Sequence, residues 1–490
     1  MTFSIDAIAS ALAQAGLLVD RQGPLPQSAE DIADDSRRAG PGALFVAVAG
    51  ASDDGHDYLE DAARRGAIAA IVEDASRTPL PALVVRNGRR AAAIAATHAF
   101  AQPSEGMRLV GVTGTNGKTT TVNILRHLLD DPAERSASIG TIGVLIGSAG
   151  TPMEGGAGLT TPGPVELQRL FRQLCDAGVR RVAMEVSSHA LHQRRVEGVR
   201  YDAAVFTNIT RDHLDYHLTM EAYFAAKATL IDYLRPHGTV VVNADVPAWR
   251  ALSTDRRRVS FGTGLATHDV HADDVQYTAR GSEWTLVLPG ERHPTRLPLI
   301  GDFNLANALA AAAAAYSLGI PGQRIAERLT SLPQVPGRLE VIHESPLVLR
   351  DYAHTPDALE RALAAIRPLT RGRLIVVFGA GGDRDRGKRP EMGSAAARGA
   401  DLAIVTSDNP RTEDPERILD DIVAGMGDAG FERVADRRDA IARALALAGE
   451  GDVVLLAGKG HETYQIRGTQ KFPFDERAIV RELTTSEART

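Results

Sequence analysis

Val110-Gly111-Val112-Thr113-Gly114-Thr115-Asn116-Gly117-Lys118-Thr119-Thr120 carries an apolar strand into a tight glycine turn, with a lysine and hydroxyls immediately after. Backbone N–H groups of such a turn cradle nucleotide phosphates, the lysine adds a cation, and a hydroxyl is offered to magnesium. Val112 stands where the strict G-x-x-x-x-G-K-[ST] pattern has its first glycine, so the turn glycine is Gly114. A chance glycine loop is the weaker alternative, because Gly117-Lys118-Thr119 comes directly after a strand. The cradle is therefore assigned to Gly114, Thr115, Asn116, Gly117, Lys118, Thr119 and Thr120. Lys118 is expected at the β- and γ-phosphates and Thr119 at magnesium, directly or through water. Thr120 either joins them or satisfies a backbone group at the helix start.

Around this loop lie 490 residues, more than one hydrophobic core usually supports, so two to four domains are expected. With 44% hydrophobic and 24% charged residues the composition is that of an ordinary soluble protein. A net charge of -7 without a long basic tract disfavours nucleic acid as a partner. The single cysteine, Cys175, excludes an intrachain disulfide framework and fits a reducing compartment. It falls in a helical pattern and reads as a packed thiol rather than a nucleophile. The start, Met1-Thr2-Phe3-Ser4-Ile5-Asp6, lacks a basic region followed by an apolar export segment, and the alanine run Ala310 to Ala315 is too short to span a bilayer. A cytoplasmic protein without stable membrane insertion is expected.

The pattern along the chain is α/β. Residues 43–48 and 67–72 read as strands and residues 89–100 as a helix. Gln102-Pro103-Ser104-Glu105-Gly106 is a plausible hinge. Strands at 109–112, 181–186, 203–207 and 239–242 alternate with helical segments, which predicts a largely parallel sheet with ligand loops at its carboxyl ends. Residues 259–300 predict an antiparallel edge or subsheet, and 304–318 a long alanine-rich helix. After the punctuation Leu332-Pro333-Gln334-Val335-Pro336-Gly337 the alternation resumes, with strands at 374–378, 402–406 and 453–456. Three domains follow, at residues 1–106, 107–336 and 337–490.

The ends of the strands after the phosphate loop carry further polar groups. Glu185 interrupts an apolar strand, and an unpaired buried carboxylate costs several kcal/mol, so either a cation or hydrogen-bond network meets it or it reaches solvent. In Arg211-Asp212-His213-Leu214-Asp215-Tyr216-His217, His213 can ligate a second divalent ion, with Asp212 and Asp215 supporting it. A capped turn with one satisfied histidine is the bland alternative. Lys227 lies in the mainly apolar helix Ala222 to Leu230. It either snorkels to solvent, or burial lowers its pKa and lets the amine add carbon dioxide as a carbamate.

Together, Thr113 to Thr119, Met184-Glu185-Val186-Ser187-Ser188-His189-Ala190-Leu191 and Asp212-His213-Leu214-Asp215-Tyr216-His217 resemble the Mur ligase family, in family order across nearly the whole chain. The resemblance implies a central P-loop-containing ATPase domain between a UDP-substrate-binding domain and a Rossmann-like C-terminal domain. It implies ATP as cosubstrate, magnesium held by Thr119, Glu185, His213 and Lys227, and N6-carboxylysine at Lys227. Lys118, Lys227 and His213 become the catalytic set. Asn304 and Asn307 fall near the nucleotide, with helix capping as their other role; Arg338 and Asp351 are further nucleotide contacts, and His354 a weaker one. Ser36 falls in the uridine domain, where Asp35-Ser36 can equally form an exposed turn. Thr160, Thr161, Ser187, Gln193 and Arg195 match a set that holds a muramoyl dipeptide, Arg195 opposing a carboxylate or phosphate.

The third domain carries the subtype. Asp408-Asn409-Pro410-Arg411, with Arg384, Gly458 and Glu462, resembles the diaminopimelate-adding members. A guanidinium at Arg411 can grip a second carboxylate that lysine lacks, with Arg384 as another carboxylate partner and Glu462 opposite the distal ammonium. The implied reaction joins meso-2,6-diaminopimelate to UDP-MurNAc-L-Ala-D-Glu through an acyl phosphate, in peptidoglycan precursor synthesis. The alternative is the equivalent ligase for L-lysine. A monomer is expected.

Overall fold

The computed structural model describes residues 2–50, 53–156, 158–264, 267–278 and 280–487. The backbone forms two compact units, one of Met1–His271, Val287–Glu291 and Asn307–Arg328, the other of Ala272–Leu286, Arg292–Ala306 and Leu329–Thr490.

In the first unit the amino-terminal residues build a five-stranded sheet in the order Leu18–Gln22, Ala82–Val85, Ala69–Val72, Ala43–Val46, Asp31–Ala33. Only Leu18–Gln22 runs antiparallel to its neighbour. Leu44 and Val46 point into one apolar cluster and Phe45 into another, so these short strands are apolar throughout because both faces are covered. Arg38 pairs with Glu166 at 2.7 Å and Arg169 with Asp31 at 3.0 Å, fastening this layer to the helix Pro164–Asp176. Cys175, in that helix, is a free thiol packed against the central core.

The central sheet places Arg108–Thr113 between Val179–Glu185 and Tyr201–Phe206, all parallel, and continues through Leu234–Asn243 to Arg257–Gly262. The strand beyond Val179–Glu185 is Arg135–Gly140, which the sequence pattern does not reveal. Its Ser136 and Ser138 are buried, and Ser136 Oγ donates to Arg126 O at 2.6 Å. The carboxyl ends of three neighbouring parallel strands thus bring Gly114, Glu185 and Thr207 to one edge, as the alternation predicts. The antiparallel edge expected for residues 259–300 is corrected at its start: Phe261 pairs with Val270 in parallel. The alanine-rich helix spans Asp302–Ser317, and Ala308 to Ala315 are wholly buried, methyl-sized side chains allowing close packing.

The second unit holds a sheet ordered Glu340–Glu344, Leu347–Asp351, Val453–Ala457, Leu374–Phe378, Leu402–Val405, Phe431–Arg433. It is parallel except for the first pair. Leu374, Val376 and Phe378 face one core and Ile375 and Val377 the other, a doubly wound arrangement. Among the described residues no helix is long and apolar enough to cross a membrane.

Candidate active site

The phosphate loop joins Arg108–Thr113 to the helix Lys118–Leu129. Gly114 (φ +151°) and Gly117 (φ +82°) adopt backbone conformations that side chains resist; a Cβ on Gly114 would overlap Thr207 Oγ1, and one on Gly117 would overlap Asn307 Oδ1. The end of the neighbouring strand clamps the loop. Thr115 N–H donates to Asn208 O at 2.9 Å, Asn116 N–H to Asn208 Oδ1 at 2.8 Å, and Thr207 Oγ1 to Asn116 O at 2.7 Å. The N-cap residue is Gly117, which has no side chain to offer the helix, an arrangement that lets a phosphate take that position. Thr119 and Thr120 are buried in its first turn.

Two lysines converge on one carbonyl. Lys118 Nζ donates to Gly114 O at 2.8 Å and to Thr115 O at 2.6 Å, while Lys227 Nζ donates to Gly114 O at 2.7 Å. Lys227, in the helix Met220–Ala228, is 1% exposed and lies 4.5 Å from the centre of the Tyr223 ring. Burial first, and the neighbouring Lys118 charge second, hold its amine well below the usual lysine value. Snorkelling is excluded, and a buried amine faces the phosphate loop.

Glu185 is 1% exposed, so it does not reach solvent. Its Oε1 accepts from Thr141 N–H at 2.8 Å and its Oε2 lies 3.2 Å from Thr141 Oγ1. A Cβ on Gly140 would overlap Oε1 and stand 2.7 Å from Cδ; glycine there makes room for the carboxylate. These donors are neutral, and Glu185 forms no ion pair with a described residue. Beyond it, Thr161 Oγ1 donates to Glu185 O at 2.8 Å and accepts Ser187 N–H at 3.0 Å. Thr160 Oγ1 accepts from Thr141 Oγ1 at 3.2 Å. Arg195 donates to Thr161 O at 3.0 Å and grips Gln193 Oε1 through Nε and Nη2 at 3.0 and 2.6 Å. Thr160, Thr161, Ser187, Gln193 and Arg195 therefore form one cluster beside Glu185.

His213 occupies the left-handed region (φ +53°) with its imidazole half exposed, and its Nε2 is 3.4 Å from Asp212 Oδ2. Its N–H donates to the Oδ1 of the preceding residue, Asp212, at 2.9 Å, a local contact that leaves the imidazole unengaged by it. His189 stands 4.7 Å from His213 and 4.2 Å from Tyr216 between ring centres. Desolvation, with repulsion from His213, His217 and Arg195, lowers His189 to about 4 and keeps it neutral. Among the described residues no three His, Cys, Asp or Glu side chains gather into a metal cage.

Asn307 reaches the phosphate loop, its Oδ1 lying where a Cβ on Gly117 would project. Asn304 is wholly buried inside the first helical turn and donates Nδ2 to Ile300 O at 2.7 Å. Ser36 is buried with its hydroxyl on Asp61, while Asp35 caps the turn at Arg37 N–H, so the exposed-turn alternative does not describe Ser36.

In the second unit Asp351 accepts Leu339 N–H at 2.7 Å and Ala353 N–H at 2.8 Å, and Arg338 stacks 4.9 Å from the centre of the Tyr352 ring. His354 Nδ1 meets Tyr352 O at 2.8 Å, a turn contact. Arg411 (φ +52°) donates Nη1 to Gly382 O at 2.7 Å. A Cβ on Gly381 would stand 2.9 Å from Arg411 Nη1 and 3.7 Å from Arg384 Cγ, so the two arginines flank one glycine. Asn409 Nδ2 donates to Glu462 Oε2 at 2.9 Å, and a Cβ on Gly458 (φ +112°) would overlap Asp408 Oδ2. Asp408, Asn409, Pro410, Arg411, Gly458 and Glu462 thus meet at the carboxyl ends of Leu402–Val405 and Val453–Ala457, the two strands that flank Leu374–Phe378.

Sequence reasoning missed Gly140 and Thr141, which follow an unrecognised strand, and Asn208 as a clamp. It also passed over Lys459, visible in Gly458-Lys459-Gly460-His461-Glu462 but wholly buried, with its Nζ on Asn409 Oδ1 and Glu462 Oε2.

Comparison with known proteins agrees with this geometry. The family profile described as the Mur ligase middle domain matches residues 112–315, the Mur ligase glutamate ligase domain residues 337–460, and the Mur ligase family catalytic domain residues 31–103. UDP-N-acetylmuramoyl-L-alanyl-D-glutamate--2,6-diaminopimelate ligase of Geobacillus thermodenitrificans is 46% identical over 459 residues, 91% of this chain and 93% of that protein. The protein of the same name from Gloeobacter violaceus is also 46% identical, over 91% and 92% of the two chains. A solved structure of a ligase with that name is 32% identical, covers both chains fully and superimposes with a TM-score of 0.69. The MurF ligase of Thermotoga maritima in complex with ADP, 21% identical over 94% of this chain and 99% of its own, shares the fold with a TM-score of 0.67. On sequence and fold together, this chain belongs to the Mur ligase family.

Proposed function

We propose that this chain joins meso-2,6-diaminopimelate to UDP-N-acetylmuramoyl-L-alanyl-D-glutamate with conversion of ATP to ADP and phosphate, forming the UDP-MurNAc-tripeptide of peptidoglycan synthesis. The observation that carries the reading is the clamped phosphate loop whose Gly114 carbonyl receives the buried Lys227 amine. The high identity to diaminopimelate ligases supports the acceptor. We divide the chain at 1–106 for the uridine nucleotide, 107–336 for ATP and catalysis, and 337–490 for the amino acid, and assign the reaction to the cytoplasm and to a monomer.

The reaction begins when the D-glutamyl γ-carboxylate attacks the γ-phosphorus, giving an acyl phosphate and ADP. The amine at the L-centre of the acceptor then attacks the carbonyl, and phosphate leaves from a tetrahedral intermediate. Direct amide formation would require expulsion of oxide, so ATP enters the covalent chemistry. Gly114 to Thr120 hold the phosphates, and Lys118 exchanges its loop carbonyls for phosphate oxygens. Asn304, Asn307, Arg338 and Asp351 are assigned to the nucleotide, Ser36 to the uridine end, and Thr160, Thr161, Ser187, Gln193 and Arg195 to the muramoyl dipeptide. Arg384 and Arg411 take the distal carboxylate of the acceptor, Glu462 and Asp408 its ammonium, with Asn409, Pro410 and Gly458 shaping the pocket.

The residues fit magnesium. Glu185 is a buried carboxylate without an ion pair to a described residue, and Thr119 would add a second hard oxygen donor, with His213 and a carbamate on Lys227 as the further protein ligands. Bound there, the metal neutralises phosphate charge. Carbamate formation requires an unprotonated amine, a form that the burial of Lys227 favours.

The test incubates the protein with ATP, magnesium and UDP-MurNAc-L-Ala-D-Glu plus meso-diaminopimelate or L-lysine, and weighs the product. The tripeptide containing diaminopimelate is expected; preferential lysine incorporation would replace this reading with the lysine-adding one.

A further inference from the structure

We propose that Lys459 is a positioning residue for the acceptor amino acid, setting the Asn409 amide and Glu462 carboxylate that meet its distal ammonium. The inference rests on the functional reading above and adds a residue which that reading does not use.

Lys459 follows the strand Val453–Ala457 and sits between Gly458 (φ +112°) and Gly460 (φ +53°). Its side chain is 0% exposed. An ammonium without solvent is retained only against strong partners. Here Nζ donates to Asn409 Oδ1 at 3.1 Å and Glu462 Oε2 at 3.3 Å, with Asp408 Oδ1 at 4.0 Å. Asn409 Oδ1 also accepts Ile466 N–H at 2.9 Å, and its Nδ2 donates to Glu462 Oε2 at 2.9 Å. The amide is thereby fixed in one orientation, and Glu462 Oε2 takes two donors. Glu462 Oε1 has no hydrogen bond to a described residue and is left for a ligand. The Asp408 carboxylate, 9% exposed, likewise has no hydrogen bond to a described residue.

The charge count gives the arrangement its purpose. Two carboxylates around one fixed ammonium leave one negative charge, which an incoming distal ammonium neutralises. Without Lys459, Asn409 loses a donor at Oδ1, and Glu462 and Asp408 are free to separate. Gly458 and Gly460 keep the lysine backbone close: a Cβ on Gly458 would overlap Asp408 Oδ2, and one on Gly460 would stand 2.7 Å from Tyr352 Cβ.

The test compares the full-length protein with Lys459→Met, Lys459→Gln, Glu462→Gln and the Lys459→Met/Glu462→Gln pair, reading kcat and the KM of each of the three substrates. Lys459→Met should raise the acceptor KM about tenfold or more while the KM values for ATP and the uridine nucleotide stay within roughly twofold. Lys459→Gln, which keeps a donor, should recover part of that loss. The double variant should be no worse than the poorer single, because both act on one carboxylate. An unchanged acceptor KM, a parallel rise in all three KM values, or additive losses would overturn the proposal. If Lys459→Met does not fold, Lys459→Gln is judged by the same criteria. A wild-type enzyme inactive with both acceptors would bring down the functional reading and this inference together; an active wild type with unchanged variants would bring down the inference alone.

Discussion

Gly140→Ala places one methyl group against the most deeply buried carboxylate of the site. The added Cβ would overlap Glu185 Oε1 and stand 2.7 Å from Cδ and 2.8 Å from Cγ. Gly140 ends a regular strand, so the alanine backbone itself is unstrained. The easiest escape is for the carboxylate to swing away, and that breaks its bonds to Thr141 N and Oγ1, now 2.8 and 3.2 Å long. Hydrogen bonds to a charged group are worth about 1.5–3 kcal/mol each, so loss of one and weakening of the other costs about 2–4 kcal/mol. If Glu185 acts in phosphoryl transfer, displacement by that amount corresponds to a fall of about thirty- to a thousandfold in kcat/KM. Thermal stability should drop by only a few degrees, because the moving group is the end of a flexible side chain. Steady-state phosphate release and a thermal melt, run beside Glu185→Gln, separate the two effects. Gly106→Ala is the control, since its Cβ would meet nothing within 4 Å. Near-wild-type turnover of Gly140→Ala, with Glu185→Gln inactive, would refute the link between this glycine and the carboxylate's position.

Lys227→Ala should lower kcat by about a hundredfold or more, and carbon-13 bicarbonate should give a carbamate resonance in the wild type that the variant lacks. Arg411→Lys replaces a two-pronged carboxylate grip by a point charge, so the preference for diaminopimelate over lysine should shrink about tenfold to a hundredfold in competition assays. Glu413 is drawn from 4.5 to about 2, chiefly by hydrogen bonding to Arg389 and then by Asp383 N–H. The unfolded chain therefore binds more protons between those values: Glu413 contributes its full stability above pH 4.5 and loses it as pH falls toward 2. After allowance for solvent screening the contribution is about 1–2 kcal/mol. Urea midpoints should fall more steeply below pH 4.5 in the wild type than in Glu413→Gln, and parallel titrations would contradict this.

Most parallel strands were legible because both faces are covered, so Leu374–Phe378 and Val453–Ala457 are apolar at every position. Arg135–Gly140 was not, since two of its buried residues are serines, and the Ser136 hydroxyl finds its partners in Arg126 O and the Asp130 carboxylate rather than within the strand. The same distinction governs the site. The phosphate loop, Glu185 and the Asp408 to Arg411 turn announce themselves through contiguous residues at strand ends. The Thr141 donor to Glu185 lies 44 residues away, and the Lys459 donor to Asn409 lies 50 away, so neither partnership exists at the level of a motif. The left-handed backbone at His213, Asp383 and Arg411 was equally hidden, because no glycine marks it.

The covalent role of ATP is tested most directly with UDP-MurNAc-L-Ala-D-Glu carrying oxygen-18 in its γ-carboxylate. An acyl phosphate must leave with one carboxylate oxygen, so the released phosphate should contain a single labelled oxygen for each amide formed. Tripeptide formation accompanied by unlabelled phosphate would contradict the account.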